Sequence, residues 1–316
     1  MGSVMTTEPS PVAEPATDTT RLNADLPRPG VSPPPARRTA RGSWSRRLSR
    51  GLLQIPLLLM AIAVLFPLYF MVANSFKTDP AFARDALTIP LQPTLAKYIA
   101  AFRSADLGRY FMNSLVISVI SVAVATTIAA LAAFAFAKMS FRGREGIFRV
   151  MLPAMAIPSI VLLVPQFKLM SHLDLINTRW SVIILYIGIM LPMSIYLFRN
   201  FFRAFPDQLL EAAAIDGVGP LRTFIRIVLP ASRPVIFTAV IINFVFAWNE
   251  LLLALVFLQN EQQRTLMVGL TLFNGLYSLD VPELMAGLTL ATVPVVVVYL
   301  IGQRYLMRGL LGGIGK

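Results

Sequence analysis

The chain reads Glu211-Ala212-Ala213-Ala214-Ile215-Asp216-Gly217 and, after nine further residues, Ile227-Val228-Leu229-Pro230. The three alanines predict a slim helix, and Gly217 suits its end because glycine readily takes the left-handed conformation that closes many helices. A second helix is predicted to start at Pro220 and to stop at Leu229-Pro230, since proline is tolerated in the first turn of a helix but not in its interior. We therefore expect helix, Gly-Val-Gly-Pro turn, helix.

The composition around this stretch is that of a membrane protein. Of the 316 residues, 56% are hydrophobic and 14% are charged, whereas soluble domains carry about 25% charged residues. Apolar runs of roughly 20 residues can cross a bilayer. Six such runs extend from about Gly51 to Ser75, Phe111 to Ala137, Phe148 to Met170, Trp180 to Phe198, Val235 to Phe257 and Met285 to Met307. We expect an all-α protein whose six transmembrane helices form one domain, residues 46–316.

The distribution of positive charge sets the expected orientation. The net charge is +12, and 20 of the 28 Lys and Arg residues fall before the first span, in 138–149, in 199–233 and after residue 303. Cationic loops are retained in the cytoplasm, so both termini and the loop of about residues 199–234 should be cytoplasmic. Because this pattern accounts for the charge, we expect no binding of nucleic acid.

The segment before the first span differs from the rest of the chain. Its first 40 residues hold 8 of the 23 prolines and few large apolar side chains, so residues 1–45 are predicted to be a disordered cytoplasmic tail. It is not a signal peptide, because the apolar run is too long and starts too late. The arginines just before the run are expected to contact anionic membrane lipid, although a regulatory role is the alternative.

The loop of residues 199–234 is unusual for a segment in water. Its alanine-rich helix carries little charge, so a partner is needed to cover it. Glu211 could bind that partner or close the end of its own helix. We therefore interpret the loop as a docking element.

The residues of this loop resemble a known signature. The signature loop of permease subunits of bacterial ABC importers is similar to Glu211-Ala212-Ala213, followed after three further residues by Gly217 and then by Ile227, Leu229 and Pro230. The fuller pattern resembles the carbohydrate importers, in particular the maltose-type, MalG-like subunit. It includes Asp216, Phe224 and Pro234, the stretch Phe246–Glu250, and the ending from Gln303 to Lys316. The resemblance covers the chain from about Gly51.

The resemblance implies a fold, partners and a site. The fold would be the six-helix ABC importer type I permease (MetI-like) fold in the bacterial cytoplasmic membrane. The partners would be a second homologous permease, homodimeric or paired ABC ATPase subunits, and an extracytoplasmic sugar-binding protein. The ATPase would receive the coupling residues Glu211, Ala212, Ala213, Asp216, Gly217, Ile227, Leu229 and Pro230. ATP and Mg would be used by the ATPase subunits, and this chain would bind no cofactor.

Polar residues predicted inside the spans are candidates for a substrate path. An ionisable residue is costly in a membrane and often faces a cavity, which singles out Glu250, its neighbour Asn249, and Asn243 on the same helical face. They could line a sugar path, or Glu250 could lie near the outer helix end and bond to a neighbouring helix. Asn113 and Tyr186 are further candidates.

Other classes of protein fit less well. A secondary transporter would show paired intramembrane charges or an internal repeat, and only Glu250 is available. An enzyme would need a nucleophile with a base, or a metal site; one His, no Cys and no P-loop leave neither a catalytic nor a metal site. Glycerol phosphate and polyol importers remain alternatives.

An amphipathic helix is predicted in the loop outside the membrane, on the apolar face formed by Leu95, Tyr98, Ile99 and Phe102. It would pack on the bundle or contact an external partner.

Overall fold

The computed structural model describes the backbone of residues 42–104, 106–271 and 280–311, and the side chains of 54–103, 106–271 and 280–305. The chain divides into two units, Met1–Met60 and Ala61–Lys316. Residues 1–41 of the predicted tail and the ending 312–316 lie outside the described residues, so the predicted disorder stays a prediction. Residues 42–45, which we placed in the tail, are helical.

Every regular element in the described ranges is helical. The α-helices are α1 (Gly42–Ser75), α2 (Asp79–Arg84), α3 (Ala96–Ser104), α4 (Leu107–Lys138), α5 (Arg144–Met151), α6 (Leu163–His172), α7 (Arg179–Arg203), α8 (Asp207–Ile215), α9 (Pro220–Thr223), α10 (Leu229–Ala231), α11 (Arg233–Asn249), α12 (Leu252–Phe257), α13 (Leu266–Thr271) and α14 (Val281–Leu311). Short 3₁₀-helices cover Leu152–Ala156, Ser159–Leu162 and Glu261–Gln263, and Phe224–Val228 is π-helical.

The described helices give six membrane spans when each bent pair is counted as one. Four helices are long and apolar enough to cross a bilayer, within α1, α4, α7 and α14. Two further pairs meet the same test together, Arg144–Ala156 with Ser159–His172 and Pro220–Ala231 with Arg233–Asn249. The predicted all-α, six-helix membrane fold is confirmed.

The third predicted span is not one straight helix. Its two parts meet at an angle of 100°, where Ile157 is extended with φ −79° and ψ 116°. Proline disfavours the helical conformation in the residue before it, so Pro158 explains the break. The third predicted span therefore consists of two helical segments that meet at a break beside Pro158.

The fifth predicted span also differs from the structure. Its helical axis begins within the cytoplasmic loop and turns by 79° at Ser232, and α11 ends at Asn249 instead of continuing to Phe257. Glu250 is extended with φ −70° and ψ 121°, and a separate short helix, α12, follows. Glu250 thus lies in a break between two helices and not inside one.

Two apolar clusters hold the bundle together. One surrounds Trp248 and Phe257, and the other surrounds Phe198 and Phe202 at the opposite ends of the helices, next to the loop of residues 199–234. Between them α4 packs along α7, with buried Ala125 and other small residues on α4. Small side chains let membrane helices approach closely, so these two helices form the centre of the fold.

An ionic cluster fixes the outer helices. Lys97 on α3 donates to the carboxylate of Asp79 at 2.7 Å and also to that of Asp280. Burial by itself lowers the pKa of Lys97, but its bonds to Asp280 and Asp79 outweigh that effect and the pKa is raised. Burial would raise the pKa of Asp280, yet the bond from Lys97 holds it below its usual value. The cluster joins α3 to the start of α14.

The predicted outer amphipathic helix exists as α3. Its Tyr98 hydroxyl lies 2.7 Å from the Ser75 hydroxyl and its ring contacts Phe76. Ile99 and Phe102, by contrast, are each about half exposed. Packing therefore accounts for part of the predicted apolar face, and the rest is open.

Candidate functional site

The loop of residues 199–234 contains α8, whose first turn is fixed by Pro206 and by a bond from Lys138 to Asp207. Pro206 is the N-cap residue, with φ −60° and ψ 126°. Asp207 follows, and its carboxylate accepts a hydrogen bond from Lys138 at 2.6 Å. Lys138 Nζ also donates to the Phe205 carbonyl at 2.7 Å. A lysine at the end of α4 therefore fixes where the loop begins.

The end of α8 has the geometry that its sequence predicts. Gly217 has a positive φ of 73°. Its N–H donates to the Ala214 carbonyl at 3.0 Å, and the N–H of Val218 donates to the Ala213 carbonyl at 2.9 Å. These two bonds form the Schellman motif, in which a left-handed residue lets the chain satisfy the last helical carbonyls. The turn is therefore rigid, and its shape depends on a glycine.

The second half of the loop differs in one respect from the prediction. Gly219 caps α9, which begins at Pro220 as expected. The helical path does not stop at Leu229-Pro230, but continues through a π-turn into α10 and ends at Ala231. Proline has no N–H and its ring clashes with the carbonyl four residues before it. The Leu229 N–H bonds five residues back, to Phe224, and this wider turn lies directly before Pro230.

Phe224 anchors the loop in the membrane domain. The side chain is buried, and its ring centroid lies 5.0 Å from that of Phe134 on α4 and 6.2 Å from that of Phe202 on α7. Val228, one helical turn further on, is buried in the same cluster. Aromatic pairs at these distances add to the free energy of burial. A displacement of the loop must therefore move the ends of α4 and α7.

The opposite side of the loop is apolar and open. Ile215 is 86% exposed, Leu221 62% and Ile225 51%. They flank the turn and an open pocket that is lined by Gly217, Gly219, Pro220, Leu221, Arg222, Ile225 and Arg226. Exposed apolar groups that are held on a rigid turn are typical of an interaction site.

The other predicted coupling residues share this surface to different degrees. Glu211 is exposed and makes no hydrogen bond or ion pair with any other residue that the structure describes, which leaves its carboxylate available to a partner. Ala212 and Asp216 are also exposed, whereas Ala213 is buried. Ile227 and Leu229 are half-buried, and Pro230 is exposed.

A buried arginine supports the same region from the side. Arg199, at the cytoplasmic end of α7, donates to the Glu145 carboxylate at 2.5 Å, and its guanidinium lies 3.8 Å from the ring centre of Phe148. Sequence reasoning used Arg199 and Lys138 only to orient the chain. The sequence does not reveal that Arg199 bonds to Glu145 or that Lys138 bonds to Asp207, because the two residues of each pair are far apart in the chain.

Most of the predicted path residues are buried and bonded within the chain. The Asn113 amide donates to the carbonyls of Gln262 and Arg264, both at 2.9 Å. The Asn243 amide donates to the Ser194 hydroxyl at 2.9 Å. These two residues and Tyr186 are at most 4% exposed. Their side chains connect helices and loops in this structure.

Glu250 and Asn249 lie at the break between α11 and α12. The Glu250 carboxylate accepts a hydrogen bond from Tyr186 at 2.8 Å and, from the backbone of α12, the N–H groups of Leu253 and Ala254. A carboxylate at a helix N-terminus is favourable because it satisfies free N–H groups. Glu250 thus bonds to a neighbouring helix, as one of our two interpretations held. Asn249 is exposed, and the substrate path stays a prediction.

Comparison with known proteins places these features in a family. The family model "Binding-protein-dependent transport system inner membrane component" matches residues 125–311. The match contains the whole loop, the break at Glu250 and all of α14.

Two relatives are similar over most of the chain. The trehalose/maltose transport system permease protein MalG of Thermococcus litoralis is 34% identical over 273 residues, which are 85% of this chain and 98% of that protein. The sulfoquinovosyl glycerol transport system permease protein SmoH of Agrobacterium fabrum is 35% identical over 250 residues, 79% of this chain and 88% of that protein.

A solved structure has the same fold. A bacterial ABC transporter that is involved in the import of the acidic polysaccharide alginate has a chain that matches with a TM-score of 0.73. The identity is 23%, and the match covers 83% of this chain and 98% of the other. At this identity the likeness shows the fold alone.

Proposed function

The chain belongs to the family of inner-membrane components of binding-protein-dependent transport systems, and from that premise we propose that it is one permease subunit of an ATP-driven carbohydrate importer. Members of this family are transport subunits and not enzymes. The observation that carries the proposal is the rigid loop of residues 207–231, whose exposed apolar side fits a partner protein and whose other side is packed on α4 and α7.

The proposed partner at this loop is an ABC ATPase subunit. The exposed side chains Ile215, Leu221 and Ile225 would enter its cleft, and Glu211 would bind at the edge. Closure of the ATPase subunits on ATP would displace the loop. Because Phe224 joins the loop to α4 and α7, the bundle would tilt between inward and outward access. ATP and Mg would be used by the ATPase and not by this chain.

The translocation path would need a second, homologous permease. The membrane helix α1 offers a surface for it or for lipid, since Val64, Leu65 and Leu68 are each about half exposed or more. One six-helix subunit would supply half of the path, and an extracytoplasmic solute-binding protein would deliver the substrate, as the family description suggests.

A carbohydrate is the substrate class that the relatives favour. Their names refer to trehalose, maltose and a sulfoquinovosyl glycerol, all of which are rich in hydroxyl groups. Asn249, exposed at the break in α11, could hydrogen-bond such groups. We expect an oligosaccharide or disaccharide, with glycerol phosphate or a polyol as the alternative in the same superfamily.

Uptake measurements test this function directly. A strain that lacks the gene for this chain should lose accumulation of one labelled carbohydrate from a panel of disaccharides, oligosaccharides, polyols and glycerol phosphate, and the intact gene should restore it. Uptake should also stop when ATP is depleted while the proton gradient is maintained. Uptake that follows the ion gradient instead would show a secondary transporter and overturn the proposal.

Reporter fusions test the proposed orientation. Because the positive charges are concentrated in four segments, a fusion after Arg50 and one at Lys316 should both report a cytoplasmic location, whereas a fusion after Asp106 should report an external one. An external location for the reporter at Lys316 would be incompatible with an even number of spans.

A further inference from the structure

Helix α5 lies in the first half of the bent third span and points away from its second half. The segment Arg144–Ala156 is bent by 100° from the segment Ser159–His172. The second segment rises only about 21 Å at 1.5 Å per residue, which is less than the roughly 30 Å of the hydrocarbon core. If it follows the bilayer normal, α5 lies nearly parallel to the membrane surface at the cytoplasmic ends of the spans.

One side of α5 packs against the rest of the protein. Phe148 is buried in the apolar cluster around Phe198 and Phe202, and the centroid of its ring lies 5.9 Å from that of Phe136. The neighbouring Glu145 carboxylate is bonded by the buried Arg199. These contacts fix the rotation of the helix about its axis.

The other side of α5 is apolar and faces away from the chain. Ile147 is 54% exposed and Val150 is 78% exposed. Residues three apart share one face of a helix, so these two side chains form a continuous apolar strip. Val150 is one of the most exposed large hydrophobic residues in the part of the chain that the structure describes.

Two exposed arginines of this segment have no partner among the residues that the structure describes. Arg142 precedes the helix and Arg149 lies in its last turn; both are exposed, and neither forms a hydrogen bond or ion pair with another described residue. Arg144 differs, because it donates to the Met139 carbonyl at 3.0 Å and lies 3.6 Å from Glu145. Arg142 lies just before the helix and Arg149 in its last turn, so exposed positive charge is found at both ends of the segment that carries the apolar strip.

We propose that α5 binds an anionic phospholipid of the cytoplasmic leaflet, with Arg142 and Arg149 at the phosphate and Ile147 and Val150 against the acyl chains. An apolar strip beside exposed arginines is the pattern of a helix that lies in the membrane interface. The anionic cytoplasmic leaflet attracts such basic groups. A protein partner fits less well, because two apolar side chains are far fewer than the roughly 20 residues that each side of a stable interface contributes.

The site is independent of the transported substrate. It depends on the cytoplasmic placement of residues 138–149, which the reporter fusions test separately. If α5 bound no lipid, the proposed permease function would still stand. If the permease function were disproved, the lipid site would still stand.

Site-directed spin labelling tests the position of the strip. Since the chain has no cysteine, single substitutions Val150→Cys, Leu65→Cys and Ile215→Cys can each carry one nitroxide on the full-length chain in phosphatidylglycerol–phosphatidylcholine vesicles. The label at 150 should be accessible to oxygen and protected from a soluble nickel chelate, like the one at 65. Nickel access equal to that at 215 would place the strip in water, and protection from both reagents would show a protein contact; either result overturns the proposal.

Lipid selectivity tests the arginines. The full-length chain should enrich phosphatidylglycerol over phosphatidylcholine among its bound lipids in mixed nanodiscs, as measured by native mass spectrometry. The double variant Arg142→Gln/Arg149→Gln should lower that enrichment by about fivefold per arginine removed. The variant Arg222→Gln/Arg226→Gln changes the net charge equally at the loop of residues 207–231, and it should retain the enrichment. Equal enrichment in all three proteins, or an equal loss in both variants, would overturn the proposal.

Discussion

Gly217→Val is expected to abolish uptake while the chain still inserts and pairs with the second permease that we propose. Gly217 has a φ of 73°, and a side chain in the left-handed region costs about 1 kcal/mol or more. No atom lies within 4 Å of the position that a Cβ would take, so the variant strains the backbone without a clash inside the chain. The Schellman turn would open and the exposed apolar residues would lose their arrangement. Co-purification of the ATPase, with transport measured on the same membranes, is the appropriate assay.

Gly219 offers a matched control for this experiment. It also has open space around its Cβ position, but its φ is −66° and its ψ is 158°, values that an alanine adopts without strain. Gly219→Ala should therefore keep ATPase binding and uptake, whereas Gly217→Ala, which adds the same methyl group, should reduce both. Full activity in Gly217→Val would show that the loop is not the coupling element.

Glu211→Lys tests the surface of the same element without changing its backbone. Since Glu211 has no partner among the described residues, charge reversal should leave the folding of the chain unaffected and weaken only attachment of the ATPase. Thermal stability of the purified chain should match that of the wild type while co-purification falls. A loss of stability instead would mean that Glu211 supports its own helix.

Glu250→Ala is expected to impair both uptake and stability. The substitution removes the acceptor of the buried Tyr186 hydroxyl and of two N–H groups at the start of α12. A buried polar group that loses its partner costs about 1–3 kcal/mol. The complex should still assemble and hydrolyse ATP, because the 17-residue helix α11 separates the loop of residues 207–231 from this break. Thermal unfolding and uptake should be measured on the same preparation.

Two further variants separate packing from contact with substrate. Tyr186→Phe removes the hydroxyl, so the double variant Tyr186→Phe/Glu250→Ala should lose less stability than the two single effects added together. Asn249→Ala alters an exposed side chain and should lower uptake at unchanged stability if Asn249 lines the path. Wild-type uptake in both Glu250→Ala and Asn249→Ala would remove this pair from the path.

The sequence predicts the elements whose causes are local. The left-handed Gly217, the helix start at Pro220 and the outer helix α3 follow from residue type and spacing, and the apolar runs identify the spans. The breaks at Pro158 and Glu250 were not predicted, because proline in a membrane helix often produces only a kink, and a glutamate gives no local signal of a break. The partner of Glu250 is Tyr186, which is distant in sequence.

The packing of the cytoplasmic loop could not be predicted for the same reason. Nothing near Asp207 indicates that Lys138 bonds to it, and the cluster around Phe224 combines residues from three separate segments. Residue type alone supports the interpretation of the loop as a docking element, which stays a prediction. Its attachment to the bundle needed the structure.

This attachment limits how the loop can be exchanged between related proteins. A segment of residues 207–231 that is grafted from another permease brings its own versions of Asp207 and Phe224, while Lys138, Phe134 and Phe202 stay behind in the host. Each anchoring contact would then combine one native and one foreign residue. A chimera that is meant to recruit a different ATPase should therefore include the ends of α4 and α7 together with the loop. Both residues of each anchoring contact are then transferred from the same protein.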